Sequence, residues 1–360
     1  MNTKIQNTES QSNVNAKIMS MPGTGFDIEP LESDNLPNSL FLSKPANVWL
    51  QEAATRPAPK QLYGSLWFEG EVCILFADTN VGKSILGVQI GDCISRGFYS
   101  APFEGMVREK ILYLDFELSD KQFEARYSEN FTNHYQFDKG FIRLEIDPDM
   151  ILPDDVDFET YLLQSLEREI KATGSKIVVI DNLTWLKNET EKGGKAAPLM
   201  QELKRLKSKY GLSILVLAHT PKRDFSKPLS RNDLQGSRLL LAFADSCFAI
   251  GESQKDKSLR YIKQIKVRNT EHIYDSENVI VCNIEKRTNC LRFEFAGYSS
   301  EREHLKEESD KDRKNIDEKI IEAFEENPDL SYQQIADTVG TYKVKVKRVL
   351  DKHKNNVTTS

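Results

Sequence analysis

The chain lacks most of the marks of secreted, membrane-spanning and metal-storing proteins. Its 360 residues hold five cysteines, Cys73, Cys93, Cys247, Cys282 and Cys290. The number is odd and no pair has C-x-x-C spacing, which argues against a disulfide frame or a zinc ribbon and for core thiols in a reducing cytosol. The histidines, at 134, 219, 272, 304 and 353, are scattered. No apolar run reaches the length of a membrane span, and the Asn/Ser/Thr-rich start has no apolar segment of a secretion signal. Excess positive charge is also missing. The net charge of −6 means that the surface as a whole does not attract nucleic acid, so any DNA contact must come from local basic patches. No internal repeat is present.

What the chain does have is concentrated in Val72–Ile90. An apolar strand, Val72-Cys-Ile-Leu-Phe-Ala77, enters a short turn, Asp78-Thr-Asn-Val81, and Gly82-Lys83-Ser84-Ile85 opens an apolar helical pattern. That is the layout of a phosphate-binding P-loop, with Ala77 where G-x-x-x-x-G-K-[ST] has its first glycine. The turn and the helix start leave backbone N–H groups pointing at an anion. Lys83 is expected to reach the β/γ-phosphates, and Ser84 offers a hydroxyl to Mg²⁺. The predicted nucleotide contacts are Ala77, Asp78, Thr79, Asn80, Val81, Gly82, Lys83, Ser84 and Ile85.

Residues 1–38 are polar and predicted to be disordered. A helical stretch, Ala46–Ala54, and a Pro-containing connector follow. From Trp67 to about Phe295, apolar strands at Cys73–Ala77, Ile111–Phe116, Ile177–Ile180, Ile214–Ala218 and Ser246–Ile250 alternate with helical patterns at 83–96, 119–131 and 196–210. This rhythm predicts an α/β fold with a mostly parallel sheet covered on both faces. Leu259–Val267, His272–Ile284 and Cys290–Phe295 read as antiparallel strands. The predicted organisation is a core over 39–298, a mixed-charge linker or solvated helix over 299–319, and a small helical unit over 320–360.

Three strand ends carry polar groups, and in an open α/β sheet ligands bind at that edge. Asp115 and Glu117 stand two apart and would share a strand face, with Glu117 placed to orient or deprotonate a water; the bland alternative is a pair of solvated carboxylates. Asp181 ends the apolar run Ile177–Ile180. There a carboxylate requires a partner, either Mg²⁺ through a water or the start of the next segment. His219 ends the next strand, as a γ-phosphate sensor or as a hydrogen-bonded rim histidine. The following loop carries Lys222, Arg223, Lys227 and Arg231, a channel for single-stranded nucleic acid or a solvated surface loop. Lys266 and Arg268 alternate on a late strand. They are solubilising charges or, in an oligomer, cations that complete a neighbour's nucleotide site.

Taken together, Lys83/Ser84, Glu117, Asp181 and His219 in this order resemble the RecA/DnaB-type ATPase core, and most of all plasmid RepA-type hexameric helicases and AAA_25-type proteins, over residues 40–295. Glu117 follows the P-loop strand, while Asn182 stands after Asp181, as in RecA-type and not true AAA+ order. The resemblance implies a cytoplasmic, ring-forming, hexameric ATPase using ATP and Mg²⁺. Its catalytic residues would be Lys83, Glu117 and His219, with Lys266 and Arg268 acting in trans, and Ser84 and Asp181 would serve the metal. It implies DNA as partner and replicative helicase activity in a plasmid or mobile element, or else a regulatory ATPase that binds DNA without unwinding it.

The C-terminal segment resembles a helix-turn-helix of the winged-helix kind. Ser331 would cap a helix with Ile335, Ala336 and Val339 inward. Gly340 sits in the turn, and the next helix has Val344, Val346, Val349 and Leu350 as apolar candidates. Lys343, Lys345, Lys347 and Arg348 make that helix basic, for duplex phosphates; protein docking is the other reading.

Overall fold

The computed structural model describes residues 41–182, 196–221, 223–234, 237–307 and 310–357. The segment 1–38, expected to be disordered, the polar segment 188–195 and the candidate DNA contact Lys222 fall outside these. The chain divides into two units, Met1–Pro57 and Ala58–Ser360. The described part of the first holds helix α1 (Ala46–Ala54), which buries no residue of its own.

In the second unit, nine strands form one sheet. The P-loop strand β3 (Val72–Ala77) lies inside it, completely buried because all its residues are apolar and both faces are covered. On one side come β9 (Ser213–His219), β8 (Ile177–Asp181), β4 (Ile111–Asp115) and β7 (Phe141–Leu144), all parallel. On the other side, β10 (Ser246–Glu252) is parallel, and β11 (Leu259–Lys266), β12 (Val279–Arg287) and β13 (Cys290–Ser299) complete an antiparallel meander. The short strands β1 (Gln61–Tyr63) with β2 (Trp67–Phe68), and β5 (Ser128–Glu129) with β6 (Asn133–His134), pair apart from the sheet. Because β9 separates the P-loop strand from β8, Lys83, Asp181, Glu117 and His219 come to one edge from non-sequential strands. Along the chain these groups keep the order from which the resemblance was drawn, Lys83, Glu117, Asp181 and His219.

Helix α2 (Lys83–Arg96) follows β3 directly, and Gly97 closes it in the left-handed conformation. The pattern over 119–131 is shorter as a helix than predicted. Helix α3 (Asp120–Arg126) has a Ser119/Gln122 capping box, and the chain then turns through the β5–β6 hairpin. Helix α4 (Phe158–Thr173) and strand β7 are additions to the predicted elements. Helix α5 (Ala196–Tyr210) lies where the periodicity puts it, and α6 (Ser237–Phe243) precedes β10. Two apolar clusters cover the sheet faces, one beneath α4 and α5 and the other beneath α2 and the β1–β2 ribbon.

Residues 299–319 do not behave as a free linker throughout. Glu301 and His304 are buried, and helix α7 (Asp310–Glu326) begins inside the stretch. With α8 (Tyr332–Val339) and α9 (Lys343–Val357) it makes a trihelical unit around Ile320, Ile335, Val346 and Leu350. Ser331 caps α8 as predicted, and Gly340 ends it with φ 72°. Val344, expected inward, is 79% exposed, since Val346 and Leu350 take the inward positions.

Candidate nucleotide site

The P-loop turn departs from ordinary backbone at Asn80 (φ 63°) and Gly82 (φ 109°). Only glycine fits at 82. Besides the left-handed φ, an added Cβ would stand 2.7 Å from Ile284 Cδ1 and 3.0 Å from the Phe293 ring. Ala77 is the last residue of β3 and needs no such freedom, which explains how the first motif glycine is dispensable. Thr79 and Asn80 are exposed and Val81 is buried beneath the turn. Ser84 and Ile85 lie in the first turn of α2, whose leading N–H groups have no intrahelical acceptor.

Lys83 is 5% exposed. Its Nζ donates to the carbonyls of Ala77 (3.3 Å) and Asp78 (3.2 Å) and meets His219 Nδ1 at 3.1 Å. No carboxylate among the described residues stands within ion-pair distance. Burial lowers its pKa, opposed from farther off by Glu117, Asp181 and Asp78. A buried cation whose partners are neutral favours an incoming anion.

His219 links Lys83 to Glu117. The lysine can only donate, so Nδ1 accepts and the ring proton belongs on Nε2, 3.3 Å from Glu117 Oε1. Asn182 Nδ2 donates to the same carboxylate and lies 3.0 Å from His219 Nε2. The hydrogen bond from His219 holds the Glu117 carboxyl below the usual range against the effect of its burial. Glu117 is therefore an ionised acceptor, held on the far side of His219 from Lys83 and suited to orienting and deprotonating water. In the sequence Asn182 is only a marker of element order; its contact with Glu117 is a tertiary fact.

Asp115 and Glu117 do not share a strand face. β4 ends at Asp115, and the chain turns so that Glu117 looks toward His219 while Asp115 looks away. Asp115 accepts from the N–H groups of Glu117 (3.1 Å) and Leu118 (3.0 Å) and from Arg143 Nε (2.9 Å), so it braces the turn that aims Glu117. Arg143 also donates to Leu118 O and lies over the Phe123 ring. Arg126, not singled out in the sequence, acts electrostatically on Glu117 and keeps Nη1 buried without a hydrogen-bond partner among the described residues.

Asp181 is fully buried, and burial pushes its pKa up to about 6 against the pull of the Ser84 and Tyr113 hydroxyls. Tyr113 donates to Oδ2 at 2.7 Å, but Oδ1 makes no hydrogen bond among the described residues. An orphaned carboxylate oxygen close to a P-loop serine fits Mg²⁺, a hard cation that prefers oxygen ligands and keeps its waters. Ser84 and Asp181 would hold it, and it would neutralise phosphate charge during transfer. The Asp181–Asn182 peptide bond is cis.

Other predicted residues are elsewhere. Lys266 and Arg268 sit at the opposite edge of the sheet, where the parallel strands begin, and do not share one strand face because β11 ends at Lys266. Lys266 Nζ donates to Leu241 O (2.6 Å) and Ala244 O (2.7 Å), closing the end of α6. Arg268 pairs with Asp245 at 3.0 Å, yet its side chain remains 55% exposed. The loop after His219 is anchored rather than open. Leu229 and Leu234 are buried, Arg223 donates to Lys227 O, and Lys227 donates to Gly340 O at 3.1 Å and stands over the Tyr342 ring. Arg231 is exposed. On α9, Lys343, Lys347 and Arg348 are exposed, whereas Lys345 is half-buried and 3.9 Å from Asp317. Among the described residues no helix is long and apolar enough to cross a membrane.

No curated protein matches the chain. Among solved structures it is similar to a KaiC-like protein from Pyrococcus horikoshii, 15% identical, with 63% of this chain and 91% of that one covered and a TM-score of 0.45. It is also similar to the flagellar accessory protein FlaH from Methanocaldococcus jannaschii, 14% identical over 63% and 91%, with a TM-score of 0.43. The AAA_25 family, described as AAA domain, is matched over residues 41–224. That is more than half of the 360 residues, and it contains the P-loop, Glu117, Asp181 and His219: the chain belongs to the AAA_25 family.

Proposed function

We propose that this chain is an ATP-driven motor that acts on DNA, in the form of a ring-forming replicative helicase of a plasmid or mobile element. The observation that carries the hydrolytic part is the buried Lys83, whose close partners are two carbonyls and His219, with the ionised Glu117 beyond that histidine. Such a site accepts a polyphosphate at Lys83, and Glu117 activates the water. His219 touches both residues and begins the loop that carries Arg223, Lys227 and Arg231, so a change at the γ-phosphate reaches a basic loop directly. In a hexamer the half-exposed Arg268, at the edge away from its own P-loop, is the cation offered to a neighbour's nucleotide; Lys266 supports it by fixing the end of α6.

A second reading has an observation in its favour. Lys227 contacts Gly340 and Tyr342, so the loop is joined to the helical unit that carries Lys343, Lys347 and Arg348. A nucleotide-dependent switch acting through that unit on duplex DNA, without unwinding, uses the same parts. ATP turnover with and without single-stranded DNA, together with strand displacement on a forked duplex, decides between them. Stimulated turnover with displacement supports the helicase. Duplex binding that depends on nucleotide, with no displacement, supports the switch. Turnover indifferent to DNA, with no DNA binding, removes both.

A further inference from the structure

The last rung that ties the β4 segment to β8 is Phe116 N–H, which donates to Asp181 O at 2.8 Å. Glu117 comes one residue later, where the chain has left the sheet, so side-chain bonds must fix its position. They reach it from two flanks. Asn182, just beyond the end of β8, and His219, at the end of β9, meet the carboxylate itself. Arg143 comes from β7, on the opposite side of β4, where it pairs in register with Tyr113. It holds the turn that carries Glu117.

The guanidinium spans that turn. Nε donates to Asp115 Oδ2 at 2.9 Å and Nη2 donates to Leu118 O at 2.7 Å. Asp115 opens the turn and Leu118 closes it, with Glu117 between. Nη1 donates to Asp120, in the first turn of α3, at 3.2 Å, and the guanidinium lies 4.6 Å from the centroid of the Phe123 ring. One side chain therefore joins the end of β4, the turn and the start of α3. Only a planar fork can bridge two acceptors and stack at once.

Arg143 is not itself a phosphate contact. Three carboxylates pair with it, Asp115, Asp120 and Glu145, and its side chain is only 17% exposed. An incoming anion would meet an excess of negative charge there. The hydrogen bond and charge of His219, then Lys83 and Arg126, are what hold the Glu117 carboxyl below the usual range. The influence of Arg143 runs through the backbone.

We propose that Arg143 is a positioning residue for water activation, whose fork sets the turn from Asp115 to Leu118 so that the Glu117 carboxylate faces His219 and the phosphate site. This rests on the reading of Glu117 as the group that activates water. A displacement of about 1 Å at such a group costs on the order of 10²-fold in rate.

The test compares kcat of the full chain at saturating ATP and Mg²⁺ with the affinity for a non-hydrolysable ATP analogue. Arg143→Ala should lower kcat roughly tenfold to a hundredfold and leave the analogue's Kd within about twofold, since Lys83 and Ser84 make no bond to Arg143 among the described residues. In a Glu117→Gln background the same change should cost less than about twofold more, because no base is left to position. Unchanged kcat, a loss of affinity matching the loss of kcat, or the full loss repeated in the Glu117→Gln background overturns the proposal. Should Arg143→Ala fail to fold, with the buried Asp115 left alone, Arg143→Lys carries the test. It keeps a cation for Asp115 Oδ2 but cannot also reach Leu118 O, so kcat should fall roughly threefold to tenfold at unchanged affinity. Wild-type kcat in that folded variant overturns the proposal. Glu117→Gln tells two failures apart. Wild-type turnover in it removes the water-activating role and the positioning role together, whereas an inactive Glu117→Gln beside a fully active Arg143→Ala overturns the positioning role alone.

Discussion

Two lysines are buried among the described residues, and the protein treats them in opposite ways. Lys263 is 8% exposed and closed off: its Nζ binds the buried Glu301 carboxylate at 2.6 Å, Ser276 at 2.7 Å and Leu229 O at 2.8 Å. Glu301 in turn accepts from Leu229 N–H, which fixes the loop after His219 to the body of the sheet. Lys83 is as deeply buried but has only neutral close partners. A buried charge that is complete within its own chain holds structure together, while one left without a counter-charge is waiting for a ligand. The same contrast separates Asp115, bonded on both oxygens, from Asp181, whose Oδ1 is orphaned.

The sharpest way to break this comparison is to remove each lysine. Lys83→Ala is expected to cut ATP turnover on the order of 10³-fold or more, because the β/γ-phosphates lose their point charge, while the fold stays intact. Wild-type turnover in that variant would end the P-loop assignment. Glu117→Gln should retain nucleotide binding and lose hydrolysis by on the order of 10²–10⁴-fold, since an amide cannot take the water's proton. Single-turnover kinetics beside a binding titration check it; if Asp115→Asn abolished chemistry instead, with the fold intact, the two carboxylates would have been assigned the wrong way round.

Lys263→Ala should act on the fold instead, costing about 3–5 kcal/mol in a denaturant titration because Glu301 is left buried and alone. Loss of turnover without loss of stability would contradict the division. The smallest effect concerns Asp181. Its native pKa of about 6 lies above its usual 3.8, so the folded state holds the proton more tightly than the unfolded chain. The resulting penalty is absent below the unfolded pKa, grows as pH rises toward the native one, and is complete above it. Asp181→Asn is thus expected to stabilise the nucleotide-free protein by about 2–3 kcal/mol near pH 8 and hardly at all near pH 4, read from thermal melts across pH. A pH-independent effect would mean that burial of the charge is not its cause.

Part of the fold and of the site is legible in the sequence. The apolar run into Gly82-Lys83-Ser84, the run ending in Asp181 and the 196–210 periodicity each state their element locally. Period-two alternation misplaces the Asp115/Glu117 pair because it assumes that the strand continues, whereas the Asp115 carboxylate captures the next two free amides and ends it. Helix α4 is hard to see because its buried positions are few, only Leu163, Leu166 and Ile170. Lys266 and Arg268 look alike in sequence, but only one is spent closing a helix.

The sequence by itself determined the parallel core, the P-loop and the order of the candidate site residues, because strand hydrophobicity, turn chemistry and motif spacing act between residues close in the chain. Tertiary structure alone decided which charges are complete and which are open. Lys83 meets His219 across 136 positions, Asn182 meets Glu117 across 65, and Lys263 meets Glu301 across 38. Such pairings depend on strand order and on which side chain reaches a shared edge first, and no local pattern encodes them.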